Sequence, residues 1–285
     1  MSYLYSKRYC GHLQLSFKQL SWLCRHLYQF YAPKKFKYRR NVKQEKISDP
    51  LLLTLLVWQA MLGIQSQRRF SQLFINLSHS RFNRRARQLL PIINLIRRKL
   101  NQQVACRQEP LIVDSLPMRV CHPIRNHRVK IFQGTANIGY NSTKKVYYYG
   151  FKGHFIVNTS GYIFDYIVTK ASVHDAQAAG SLILNAHLQD PYILGDLGYL
   201  GKQLHQRLLH DGYYLWTPYR KNMTGAKQHN SRCLAAIRRT IESDFALLKG
   251  YGVENNRART LVGFQQRLEI AILTYNLGYL VNLNN

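Results

Sequence analysis

Forty-one lysines and arginines stand against only 13 aspartates and glutamates in this chain, a formal net charge of +28 at pH 7. Such an excess repels itself in any compact state unless a polyanion is present. Nucleic acid is the usual partner, and an anionic membrane is the rival. The longest apolar stretch, Pro50 to Gly63, is too short to span a bilayer and is interrupted by Thr54 and Gln59. The opening residues, MSYLYSKRYC, lack the apolar core of a secretion signal. The five cysteines are scattered, odd in number and without CxxC pairing, so they read as reduced, cytosolic thiols. Cys121 and His122 are adjacent, but no second pair at ligand spacing completes a zinc site.

The charge is uneven. Residues 1–100 hold 20 of the Lys and Arg but only Glu45 and Asp49 as acids, a net +18. The remainder holds 21 basic and 11 acidic residues. The front of the chain is a basic module, and the back keeps nearly all the carboxylates. The run from Lys34 to Lys46 reads as an exposed loop.

The front half carries helical periodicity. Leu20, Leu23, Cys24, Leu27 and Tyr31 recur at helical spacing after a Ser16-x-x-Gln19 capping box. Asp49 and Pro50 form an N-cap and first-turn pair for a helix to about Gly63. Two more helical patterns follow, over 69–77 and from Ser80 or Asn83 to about Gln103. The last carries Arg81, Arg84 and Arg85 in its first turns. Two readings stand at even weight: a helix-turn-helix that presents those arginines to DNA, or an amphipathic helix with a solvated basic face.

The back half reads as strand, hairpin, helix, strand, helix, strand, helix. Leu111-Ile112-Val113 is a short apolar strand ending at Asp114. Residues 146–157 and 162–168 form a hairpin around the Asn158-Thr159-Ser160-Gly161 turn. Helices are expected over 175–185, 202–210 and 231–249, and strands over 192–194 and 213–216. That is the order of an RNase H-like α/β domain, a mixed sheet flanked by helices, here over 106–285 and preceded by an all-helical DNA-binding module over 1–105.

Because acids are scarce, each can be weighed. Asp114 and Asp196 both follow short apolar strands, and neighbouring strand ends can bring two carboxylates together. Glu242 lies inside the last expected helix. Three hard oxygen donors suit Mg²⁺ or Mn²⁺. Two such ions ~3.5–4 Å apart can activate an attacking oxygen and stabilise a leaving one. On one helix, Arg238, Glu242 and Lys249 fall within about 40° of each other, so the two cations could hold phosphate oxygens. The plain alternative is an i, i+4 salt bridge from Arg238 to Glu242. Lys144 and Lys145 precede a strand and read as phosphate contacts. Lys152 and His154 share a strand face that either approaches the DNA backbone, with Lys152 as a DNA contact, or does nothing. Asp175, after His174, is either an accessory of the site or a helix N-cap.

From about residue 110 to 250 the chain resembles the DDE transposases of bacterial insertion sequences, and among them the 982 family. The matching stretches are IVDSLPM around Asp114, GYNSTKKVYYYGFKGH from Gly139 to His154, ASVHDA around Asp175, ILGDLGY around Asp196 and RRTIESDFALLK around Glu242. Related transposases carry Tyr-x2-Arg-x3-Glu-x6-Lys; Arg238, Glu242 and Lys249 match it, whereas Ala235 stands at the Tyr position. Only 45 residues separate Asp196 from Glu242, which leaves no room for a large insertion domain. The resemblance implies Asp114, Asp196 and Glu242 as catalytic ligands of Mg²⁺ or Mn²⁺, with two ions at the site. It implies cleavage and joining of double-stranded DNA at terminal inverted repeats and at a target, by a homodimer on DNA in the bacterial cytoplasm and nucleoid. A catalytically inactive DNA-binding relative and another RNase H-like nuclease are the competing readings.

Overall fold

The computed structural model describes residues 12–104, 109–186, 188, 190–254 and 256–283. In chain order its elements are α1 (Phe17–Tyr31), α2 (Lys34–Lys37), α3 (Asp49–Met61), α4 (Gln67–Phe74), α5 (His79–Gln88), α6 (Leu90–Val104), β1 (Leu111–Arg119), β2 (Asn137–Asn141), β3 (Val146–Asn158), β4 (Ile163–Lys170), α7 (Asp175–Asn185), β5 (Tyr192–Leu194), α8 (Lys202–His210), β6 (Tyr214–Trp216), α9 (Ala226–His229), α10 (Arg232–Arg239), α11 (Ile241–Gly250) and α12 (Leu261–Leu283). They fall into two compact units. Residues 105–247 contain the sheet, and the helical unit takes residues 11–104 together with 248–285. α12, absent from the sequence reading, falls in the helical unit.

The helical unit begins with the anticipated capping box. Ser16 Oγ accepts from Gln19 N–H, and Gln19 Oε1 accepts from Ser16 N–H at 2.9 Å, which satisfies two otherwise orphaned donors of α1. Asp49 has a different role from the expected N-cap. Ser48 occupies the cap position, and Asp49 is the first residue of α3, buried against Tyr28, Arg39 and Arg85. The Lys34–Lys46 run is not all loop, since it includes α2 and a 3₁₀ turn at Val42–Gln44. The pattern expected from residue 80 to 103 divides into α5 and α6 near Leu89. α12 supplies Ile270, Leu273 and Leu277 to the core made by α1, α3, α5 and α6. Its Glu269 is buried against Arg97 at 2.9 Å and accepts from Asn94 at 2.6 Å.

The sheet has the order β2-β3-β1-β5-β6, with β4 also paired to β3. β3 pairs antiparallel with both β1 and β4 along the same residues, so these two strands take its opposite edges. β1–β5 and β5–β6 are parallel. Three antiparallel strands followed by two parallel ones make an RNase H-like mixed sheet. The short β2 adds a partner for the first residues of β3 and was absent from the sequence reading. Alternation along the strands feeds both faces. Val113 and Ile156 pack with Ala179, Leu182 and Ile183 of α7 and with Leu204 and Leu208 of α8. Phe155 meets Phe245 of α11 edge-on at 5.5 Å.

Candidate active site

β1 does not stop at Asp114. It runs on to Arg119 because β3 pairs with it along its whole length, Asp114 lying opposite Phe155. β5 does stop. Its pairing with β1 ends at Ile112 opposite Leu194, and two residues later each chain carries an aspartate. Asp114 inside a continuing strand and Asp196 just past the end of a shorter parallel neighbour therefore stand at the same level of the sheet. Asp196 opens a 3₁₀ turn, Leu197–Tyr199, and its Oδ1 accepts from Gly198 N–H at 2.7 Å. Asp114 Oδ1 accepts from Ser115 N–H at 2.7 Å.

The pair is electrostatically unhappy. Burial, and then the charge of Asp196, push the Asp114 carboxyl up to about 7. Burial raises Asp196 as well, with the Asp175 charge adding to it. Each carboxylate disfavours ionisation of its neighbours in a site that water screens poorly. The Arg238 guanidinium answers part of this charge, with Nη1 3.3 Å from Asp114 Oδ2.

Glu242 stands further out. Its side chain is 68% exposed, and it meets Arg238 Nη2 at 3.7 Å. Arg238 thus links Glu242 to Asp114. The helix expected over 231–249 is two helices: α10 starts at its Ser231 cap, and Thr240 separates it from α11. Thr240 Oγ1 donates to Ile237 O, a back-bond of the kind that bends helices. The i, i+4 relation of Arg238 and Glu242 survives the break.

Asp175 was open between cap and accessory. It is the first residue of α7, whose cap position is His174, and it points toward β3. Its Oδ1 lies 3.3 Å from Lys152 Nζ and 3.6 Å from His154 Nδ1. His154 is fully buried, and burial pulls it down to about 4, so its ring is neutral at pH 7. The other ring nitrogen, Nε2, meets Thr169 Oγ1 at 2.9 Å. Lys152 Nζ also donates to Val173 O at 2.9 Å. The sequence had placed Lys152 and His154 on one strand face, but only the fold shows what that face meets.

The remaining sequence-selected cations divide. Arg81 and Arg84 are exposed on α5, and Lys144 and Lys145 are exposed in the β2–β3 turn. Arg85 is committed internally to Glu45 and Asp49, each at 2.7 Å, and so is poorly placed for the DNA contact expected of it. Lys249 is exposed near the end of α11, beyond the last residue of the sheet unit. The Arg238 contact with Asp114 was missed, because residues 124 positions apart give no local signal.

Among the described residues, no three His, Cys, Asp or Glu groups are close enough to hold one metal ion together, at Cys121 or elsewhere. The donor chemistry nevertheless fits a divalent cation. Asp114 and Asp196 offer hard oxygens at one level of the sheet, their charges oppose each other, and a guanidinium already sits against Asp114.

Among the described residues, no helix is long and apolar enough to cross a membrane. No curated protein matches the chain. Among solved structures, a chain in the "Crystal structure of a pre-cleavage Mos1 transpososome" aligns over 95% of this chain and 98% of that one, with 8% identity and a TM-score of 0.24. A score that low carries no argument. The family comparison is of another order: the Transposase DDE domain matches residues 80–261, well over half of the chain, and that span includes Asp114, Asp175, Asp196 and Glu242. The chain belongs to the transposase DDE-domain family.

Proposed function

We propose that this transposase cleaves double-stranded DNA at the ends of an insertion sequence and joins the freed strand to a target, with divalent cations, Mg²⁺ or Mn²⁺, held by Asp114 and Asp196 with Glu242. The observation that carries the reading is that Asp114 and Asp196 each lie two residues past Ile112 and Leu194, the last paired residues of β1 and β5. When bound, two such ions activate an attacking oxygen and stabilise a leaving one.

The chain's own residues supply the rest. Asp114 and Asp196 must be ionised to bind, and β1 and the 3₁₀ turn fix their places. Arg238 lies between Asp114 and Glu242 and has further N–H groups to offer a phosphate oxygen. Lys144 and Lys145 extend the cationic surface along the DNA backbone. Arg81 and Arg84 offer DNA phosphate contacts of the helical unit's own, and a homodimer would engage both ends of the element.

The test is incubation of the protein with DNA carrying its own element ends and Mg²⁺. The reading expects a nick at the element boundary and, with target DNA present, a joined product. An intact substrate under conditions where the protein binds it would overturn the reading.

A further inference from the structure

One acidic side chain near the Asp114–Asp196 pair has no part in the reading above. Asp175 is the first residue of α7, and its carboxylate comes up to Gly198, two residues after Asp196. A Cβ built on Gly198 would stand 2.8 Å from Asp175 Oδ2 and 3.0 Å from Asp196 Oδ1. The two carboxylates therefore converge over a residue that has no side chain to separate them. Asp175 is also tied from behind. Lys152 reaches its Oδ1 as an ion pair at 3.3 Å, and the buried His154 places Nδ1 3.6 Å from the same oxygen, neither Nδ1 nor that Oδ1 having a hydrogen-bond partner among the described residues. Both residues come from β3, the strand that pairs with β1 beside Asp114.

A helix N-terminus alone would explain an aspartate at this position, since negative charge is favoured in a first turn. It would not explain why the carboxylate turns to Lys152 of β3 and to Asp196. We propose that Asp175 is a positioning residue of the cation site: paired with Lys152 of β3 and meeting Asp196 over Gly198, it fixes the place of that carboxylate and adds to the negative potential that draws a divalent cation in. Outer partners that orient a ligand commonly change metal affinity by about 10–100-fold when removed.

This inference rests on the cation reading of Asp114 and Asp196, and the experiment separates the two. Mn²⁺ is titrated calorimetrically into the full-length wild-type protein, Asp114→Asn, Asp175→Asn, Asp175→Glu and Gly198→Ala, with thermal melting in chelator recorded for each. We expect Asp114→Asn to lose binding, Asp175→Asn to bind about tenfold or more weakly, and Asp175→Glu to recover part of the loss. Gly198→Ala should also bind more weakly, because its methyl group forces the two carboxylates apart. Wild-type affinity in a folded Asp175→Asn would overturn the inference while leaving the cation reading intact. If Asp175→Asn does not fold, wild-type affinity in Gly198→Ala overturns it instead. Unchanged binding in Asp114→Asn, or none in the wild type, would overturn the cation reading itself.

Discussion

Asp114 is the residue on which charge, burial and strand geometry meet. Its folded-state carboxyl is raised to about 7, above the ordinary carboxylate value it regains on unfolding. The folded protein therefore binds the proton more tightly than the unfolded chain does. That contribution is fully present below the unfolded value and is lost as pH rises through about 7. In chelator, the wild-type melting temperature should fall between pH 5 and pH 7.5 by more than that of Asp114→Asn, which has no carboxyl to titrate. Added Mg²⁺ should recover more stability at pH 7.5 than at pH 5, because the cation competes with the proton. Equal pH slopes for the two proteins would contradict the assignment. Asp114 was legible in the sequence as a rare acid after an apolar run. Its continuation into a longer strand was not, because β1 is extended by pairing with β3, a contact made at a distance along the chain.

At the scale of elements, local signals were read well and long-range ones poorly. The Ser16–Gln19 box is written within four residues, and it forms. The break at Thr240 was hidden because the apolar spacing on either side continues one helical pattern. β2 was missed because five residues ending in a polar turn gain strand character only from pairing with β3. α12 was missed because it is apolar around much of its circumference and so shows little helical periodicity. Its docking is set instead by a buried charge. Glu269, held by Arg97 and Asn94, joins α12 to α6. Glu269→Ala would leave Arg97 buried without that carboxylate, and should cost about 3–5 kcal/mol of stability. Denaturant melting measures it; a loss of under about 1 kcal/mol would place the pair among weak surface contacts.

Across the whole molecule, the charge imbalance seen first in the sequence remains the dominant property. The two acids of residues 1–100 are both taken up by Arg39 and Arg85. They do little to soften the outward basic character of the helical unit. If that unit contacts 6–10 phosphates, DNA affinity should fall by roughly 10³–10⁵ between 50 and 200 mM salt. Arg81→Ala with Arg84→Ala should flatten that slope, and an unchanged slope would remove α5 from the DNA surface. The catalytic claim is separable from this one, since binding rests on exposed cations and cleavage on paired carboxylates. The most direct test measures both on one protein. Wild type and Asp114→Asn are compared for DNA affinity and for Mg²⁺-dependent nicking at the element boundary. The account predicts equal affinity and a loss of nicking by several orders of magnitude in Asp114→Asn; wild-type nicking by Asp114→Asn would contradict it.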